Sequence, residues 1–422
     1  MTLINALFKG KKPRCSLSRE KVSLQTLKRL IPIRNLGEEK LQAFALEKQT
    51  EVLAAGETLF ELDSPTDAAI YLLQGVVTLA DKNGKRQNID ADSAEARFPL
   101  CSGTKHAASA VAKSDISYLR VSHKIMSIND AINHEELVIA EELKNNRLLQ
   151  LFSQYFINET VEVPSLPNVA IRLRKALQKD IGVAEAVKII QLDPVISAKL
   201  IEVANCPLYL TLNPAKSCFD AVNRIGLNGA RNLVVSFSLK QIFKNQAPAI
   251  KNYLDRLWRD SLNLSCLCYV LAQESGQQNP EEALLAGLVC DIGAIPFLNF
   301  VANLPAEYHD NEEIEQALPA VKGVVGATVL KNWHFADEFI DVALHANDWY
   351  RNDSKELSLT DIVVLARLHR QISQQKSGGL PPITSIPAAS KLKNIALSPE
   401  NSLHILHDAK HKINDALAAF SG

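Results

Sequence analysis

Charge of one sign is missing from this 422-residue chain: 46 lysines and arginines face 47 aspartates and glutamates, for a formal net charge of −1. Without a strong positive field there is no basis for non-specific nucleic-acid binding, and nucleic acid is not an expected partner. Long apolar runs are also missing. None approaches the ~18 unbroken residues that cross a bilayer, and no signal-peptide core with a small-residue cleavage site is visible. The expectation is a cytoplasmic protein without a transmembrane segment. Cysteine is sparse, odd in number and scattered: Cys15, Cys101, Cys206, Cys218, Cys266, Cys268 and Cys290. Cys266 and Cys268 are separated by one residue, which is not a zinc-ligand spacing, so buried thiols are expected and no cofactor. What is present is ordinary for a globular protein, with 47% hydrophobic residues. At this length two or three domains are the natural division.

The stretch from Val163 to Phe243 is a succession of short amphipathic helices with their stop and start signals written out. Val183, Ala186, Val187 and Ile190 share one face, as do Ile196, Leu200, Val203 and Ala204 in the next helix. Between them, Asp193-Pro194 can cap and start a helix, because the Asp side chain accepts from first-turn N–H groups and Pro at the first position loses no hydrogen bond. Asn205, Pro207 and Asn213-Pro214 then break the pattern. A further helix carries Ala230, Leu233, Val234 and Phe237.

This run resembles the HDOD domain, a helical module of bacterial signalling proteins related to the metal-dependent HD phosphohydrolases. The resemblance rests on Leu166-Pro167, Asp193-Pro194, Leu200, Ala204-Asn205, Tyr209 and Ala221 through Ile225-Gly226. It implies an all-α interaction platform. Asp193, Pro194, Asn205 and Pro207 are its candidate partner contacts, and each also has an ordinary reading as cap or turn former.

Upstream the period changes. Between Glu51 and Ala91, short strands are punctuated by Gly56, Ser64-Pro65, Gly75 and Asn83-Gly84, the last a hairpin signal. With flanking helices this predicts a small antiparallel barrel or jelly roll. The region resembles the cyclic-nucleotide-binding fold at Gly56-Glu57, Leu59-Phe60, Asp67, Ile70-Tyr71, Gly75 and Val77. In such domains an acid holds the ribose and an Arg the cyclic phosphate. Here the resemblance puts Glu95 in the first role, after Ala94 rather than Gly, and His106, beside Lys105, in the second. Neither His nor Lys offers the planar fork of Arg, so Glu95, Lys105 and His106 are candidates for at most weak nucleotide binding.

The HD phosphohydrolases need imidazole and carboxylate ligands converging on a metal-activated water. Along the resemblance, Asp260 stands where the first His is expected, Cys290 at the next His with Asp291 kept, Lys322 at another His, His345 kept, and Arg367 at a late Asp. These six residues mark a remnant pocket in which Lys322 and Arg367 would oppose a cation. No catalytic or metal residue is therefore assigned. His407 and His411, four apart, lack a third ligand.

The expected fold class is multidomain α+β: a cyclic-nucleotide-binding-like β-barrel (jelly roll) with flanking helices, followed by an all-α HDOD domain. The boundaries are a flexible basic tail at 1–21, the barrel domain at 22–122, a connecting helix at 123–160, the HDOD domain at 161–370, a Ser/Gly/Pro-rich loop at 371–400 and a C-terminal helix at 401–422. The expected function is non-enzymatic regulation through a protein partner. The alternatives are a metal-dependent phosphohydrolase of nucleotides or cyclic dinucleotides, and a nucleotide sensor acting through the barrel.

Overall fold

A computed structural model describes residues 15–421 except 37, 103, 123–142, 144, 159–165, 167, 178–180, 210–212, 244–247, 306, 308–309, 375–378, 394–395 and 399–401. The basic lead before Cys15 and most of the expected connecting helix lie outside the described residues. The chain divides into two compact units.

The first unit contains residues 1–130, 349–355 and 371–403. Helix α1 (Leu24–Arg29) starts where the Ser23 side chain accepts from Thr26 N, and α2 (Glu38–Glu47) follows. Seven strands come next: β1 (Glu51–Leu53), β2 (Thr58–Phe60), β3 (Ala68–Gln74), β4 (Val76–Ala80), β5 (Arg86–Asp90), β6 (Ser109–Ala112) and β7 (Ile116–Ser122). They form two antiparallel sheets, ordered β1-β7-β3 and β2-β6-β4-β5. The expected hairpin joins β4 to β5 with Thr78 opposite Asn88, and Gly84 takes φ +77° in its turn. Asp81 holds that turn, one carboxylate oxygen accepting from Asn83 N at 3.0 Å and Lys85 N at 2.7 Å. Apolar residues inside the sheets, among them Phe60, Ile70, Leu72, Val77, Leu79 and Ile89, pack as one cluster.

Within the stretch read as a loop at 371–400, the described residues include a 3-10 turn, Ile383–Ser385, and a short helix, Pro387–Lys391. Ile383, Ile386, Ala389, Leu392 and Leu397 are buried. Ser102 Oγ donates to Ser385 O, and Leu397 N donates at 3.0 Å to the second oxygen of Asp81. Widely spaced apolar residues, hidden by the composition, seat this segment in the first unit.

The second unit contains residues 131–348, 356–370 and 404–422 and is helical. Its helices are α3 (Arg147–Asn158), α4 (Asn168–Leu177), α5 (Val183–Ile190), α6 (Pro194–Ala204), α7 (Cys218–Ile225), α8 (Leu227–Ile242), α9 (Pro248–Ser275), α10 (Pro280–Val289), α11 (Ala294–Ala302), α12 (Asn311–Asn332) and α13 (Asp337–His345). Helix α14 (Leu359–Ser373) follows. A short α15 (Pro387–Lys391) belongs to the first unit, and α16 (His404–Asp408) and α17 (Lys410–Ser421) replace the single C-terminal helix expected.

The junctions follow local chemistry. Asp193 caps α6 by accepting from Val195 N and Ile196 N, with Pro194 at its first position. Ser217 and Asp220 form a capping box on α7, and Asn279 caps α10 ahead of Pro280. Helix α3 packs against α11 and α12 within this unit, Phe152 meeting Phe297 edge-on at 5.2 Å. The part of the expected connector that is described is thus a core helix.

One sequence expectation needs correction. Pro280–Ala302 is long and apolar enough to cross a membrane by length and composition. Counting only unbroken apolar letters missed it, because Asp291 and a few small residues interrupt the run. In the fold the segment is two helices, α10 and α11, bent apart at residues 290–293, and 89% of its most apolar window is buried within the protein. It is the core of the bundle.

Candidate functional site

The residues of the remnant HD pocket meet around the turn between α10 and α11. Every residue of α10 from Ala283 to Val289 is buried, so Cys290 and Asp291 are delivered into the interior. The turn closes on its own backbone, Cys290 N donating to Ala286 O and Ala294 N to Asp291 O. Gly293 sets how close α12 comes: a Cβ there would lie 2.3 Å from both Gly326 N and Lys322 O. The absence of that side chain brings Lys322 to the carboxylate.

Asp291 is held from two sides. Arg367, on the buried face of α14, donates Nη2 to Oδ1 at 3.1 Å and Nη1 to Oδ2 at 3.3 Å. Lys322 Nζ lies 3.4 Å from Oδ2. Burial by itself would raise the Asp291 carboxyl, but the charges of Arg367 and then Lys322 outweigh it and hold the group well below its ordinary value of 3.8. Burial likewise works against the Arg367 charge and is overcome by Asp291, so the guanidinium stays protonated. Cys290 accepts from Arg367 Nη2 at 3.0 Å and donates to Gly287 O. Burial, then the Asp291 charge, push its thiol up to about 12.

These residues do not fit a metal ion. The carboxylate is already neutralised by two cations, the cysteine is a thiol rather than a thiolate, and a divalent ion would sit against Lys322 and Arg367. Among the described residues, no group of three or more His, Cys, Asp or Glu side chains is placed to hold a metal.

The other two pocket residues have separate partners. Asp260, on α9, pairs with Arg370, one turn beyond Arg367 on α14. His345 Nε2 is 3.8 Å from Asp341 Oδ1, and Asp341 also accepts from Thr360 Oγ1. Sequence reasoning missed Arg370, Asp341 and Thr360. The spacing of Arg367 and Arg370, three apart on one helix, was the available signal for the first, and that of Asp341 and His345, four apart on α13, for the second; Thr360 becomes visible only when α13 and α14 pack.

In the β-sheet unit, Glu95 lies half-buried in a 3-10 turn, Glu95–Arg97, and Lys105 is exposed. His106 is buried with its ring stacked on Phe60 at 4.0 Å, its backbone bonded to Asp63 and Ser64. A cavity of about 290 Å³ in this unit is lined by Lys21, Arg29, Gln74, Asp92 and Arg97 among others, but not by Glu95, Lys105 or His106.

The partner candidates are structural and surface residues at once. Asn205 closes the turn after α6: Ala215 N donates to its Oδ1 at 2.7 Å, and its Nδ2 donates to Ile201 O and Ala215 O. Arg224 Nη1 donates to the same Oδ1 at 2.9 Å. Pro207 opens a short 3-10 turn. Beside Asp193-Pro194, Leu192 is 61% exposed and Val195 76%, and Phe219 on α7 is also exposed.

Comparison with known proteins agrees with the helical reading. Residues 163–349 match the HDOD domain. A solved structure from Shewanella amazonensis SB2B, provisionally named a metal-dependent phosphohydrolase, is similar at 26% identity and a TM-score of 0.56, covering 65% of this chain and 98% of its own. A cyclic nucleotide-binding-like protein from Brucella abortus matches the N-terminal region at 22% identity, covering 24% of this chain and 92% of its own, with a TM-score of 0.20. An uncharacterized protein of Treponema pallidum (strain Nichols) is 20% identical over 201 residues, 44% of this chain, and the match spans only 38% of that relative. Residues 163–349 thus carry the HDOD domain, and the region N-terminal to them contains two antiparallel sheets.

Proposed function

We propose that this chain is a cytoplasmic bacterial regulatory protein whose HDOD domain acts by binding a protein partner, without catalysis. The observation that carries the reading is the ion cluster of Asp291 with Arg367 and Lys322. It puts positive charge where hydrolytic relatives need a cation and spends the one retained carboxylate on internal pairing. The exposed Leu192 and Val195 beside the capped Asp193-Pro194 junction support a docking role, since large apolar side chains flanking one turn favour contact with another surface.

The test has a negative and a positive arm. Hydrolysis of bis-p-nitrophenyl phosphate is measured with added manganese, iron or magnesium, using wild type, Asp291→Asn and His345→Ala. The expected rate is the same background in all three, and turnover by wild type that both substitutions abolish would overturn the proposal. In the second arm, proteins retained from the native host by wild type are compared with those retained by Val195→Asp. A partner held by the first and lost by the second, with the circular dichroism spectrum unchanged, is the expected result; identical retention would remove the junction from the reading.

A further inference from the structure

We propose that the HDOD domain contains a ligand pocket, distinct from the remnant HD pocket, that takes a small carboxylate with a flat apolar body. The pocket is a cavity of about 410 Å³ walled by α4, α8, α10 and the turn from α12 to α13. That volume falls in the range of small-molecule sites, roughly 300–1,000 Å³. Leu166, Ala170, Val235, Leu285 and Phe339 give it apolar sides. The turn contributes Phe335, whose ring meets Phe339 edge-on at 5.5 Å. That turn is closed by His334 N donating to Lys331 O and Phe335 N donating to Leu330 O, with His334 at φ +54°.

Asn228, Arg231, Asn232 and His334 are the polar residues of the cavity's described lining, and two of them, Arg231 and Asn232, are linked to each other. Asn232, on α8, is 1% exposed, lines the cavity, and has its side-chain nitrogen without a hydrogen-bond partner among the described residues. Arg231 Nε donates to Asn232 Oδ1 at 3.2 Å. An arginine can only donate, so this contact identifies the oxygen and leaves the amide nitrogen as the unused donor. A buried donor that finds no acceptor costs stability, and nearly all such groups in native proteins are satisfied by protein, water or ligand. Because Asn232 lines the cavity, an acceptor held inside it can complete this donor.

The charge of the ligand follows from the rest of the lining. No aspartate or glutamate is among the described lining residues, and the guanidinium of Arg231 has no carboxylate partner within 4 Å among them. A carboxylate supplies an oxygen pair able to accept from Asn232 Nδ2 and to face Arg231, whose planar donors suit it, and it carries less charge than a phosphate into these largely apolar walls. Water alone would satisfy the amide but would leave the aromatic and aliphatic walls wetted. A molecule with an acidic end and a flat apolar body serves both.

This goes beyond the partner-binding proposal and does not depend on it. Its test uses three probes of one shape on the full chain, by titration calorimetry: 2-naphthoate, 2-acetylnaphthalene, which keeps an acceptor without the charge, and 2-ethylnaphthalene, which has neither. Wild type is expected to bind naphthoate at one site, in that order of affinity. Arg231→Leu should erase the preference for naphthoate over acetylnaphthalene. Asn232→Leu should weaken both by roughly tenfold or more while the melting temperature holds or rises, because a buried unpaired amide has been removed. A purely structural Asn232 would instead lower the melting temperature. Should that variant not fold, Val235→Phe, which fills the cavity from α8, serves in its place and should abolish binding of all three probes. The proposal is overturned if millimolar naphthoate shows no saturable binding to wild type, or if its binding survives Arg231→Leu and Val235→Phe unchanged.

Discussion

A carboxylate that meets two cations in the interior is held more tightly as an anion than the same group in the unfolded chain. For Asp291 this makes the surrounding charge interdependent: removing the carboxylate leaves Arg367 and Lys322 facing each other in a buried site. Asp291→Ala is therefore expected to lower the unfolding free energy by about 3–5 kcal/mol, the usual cost of breaking a buried pair from one side. The triple substitution Asp291→Leu, Lys322→Met and Arg367→Met removes the whole cluster and should regain most of that loss, as read from urea unfolding midpoints. The same residue predicts an acid response. Its folded-state pKa lies below the ordinary 3.8, so the unfolded chain takes up the proton first. The stabilisation is complete above that ordinary value and is lost as pH falls through it toward the folded value. Wild type should lose melting temperature more steeply than the triple variant below about pH 4; parallel curves would show that the cluster does not titrate as described.

At the scale of elements, the close approach of the α10–α11 turn to α12 rests on Gly293. Its missing side chain leaves room for Lys322 O and Gly326 N, each 2.3 Å from where a Cβ would be. Gly293→Ala should force the helices apart at a cost of about 1–3 kcal/mol. It should also expose Cys290, whose thiol is otherwise buried and pushed up to about 12. Faster labelling of Cys290 by iodoacetamide under native conditions is the reading to make, since intact packing leaves Cys15 as the one cysteine not buried. Much of this element-level order was legible beforehand. The Asp193-Pro194 cap, the Asn83-Gly84 hairpin and the apolar faces of α5 and α6 follow from local spacing. The break between α10 and α11 was not, because Cys290-Asp291 reads as a catalytic remnant before it reads as a turn.

The whole molecule shows a different kind of dependence. The first unit takes a segment from near the end of the chain, and Leu397 N reaches Asp81 across 316 residues of sequence. Replacing the buried Ile386 by Ser should destabilise that unit by roughly 2–5 kcal/mol, as expected for emptying an isoleucine site. The checking measurement is hydrogen exchange followed by mass spectrometry. Protection should fall in the β4–β5 hairpin, Val76–Asp90, while α9 and α10 keep theirs. Loss confined to residues near 386 would mean that the segment lies on the unit without supporting it.

What the sequence determined alone was local: caps, turns and amphipathic faces depend on residues within one or two turns of each other, and the run of such signals marks both the helical domain and the strand region. The resemblance added the expectation that Lys322 and Arg367 share a remnant pocket with Asp291 and oppose a cation there, because the replaced positions bear charges of known sign. Only the tertiary structure decided that Arg367 and Lys322 take Asp291, that Arg370 takes Asp260, and that a proline-containing segment near residue 386 is core. It also brought Arg231 and Asn232 of α8 to one cavity with Phe335 of the α12–α13 turn and Phe339 of α13. Pairing and burial depend on distances between residues far apart in the chain, and those distances exist only after the helices and sheets have packed.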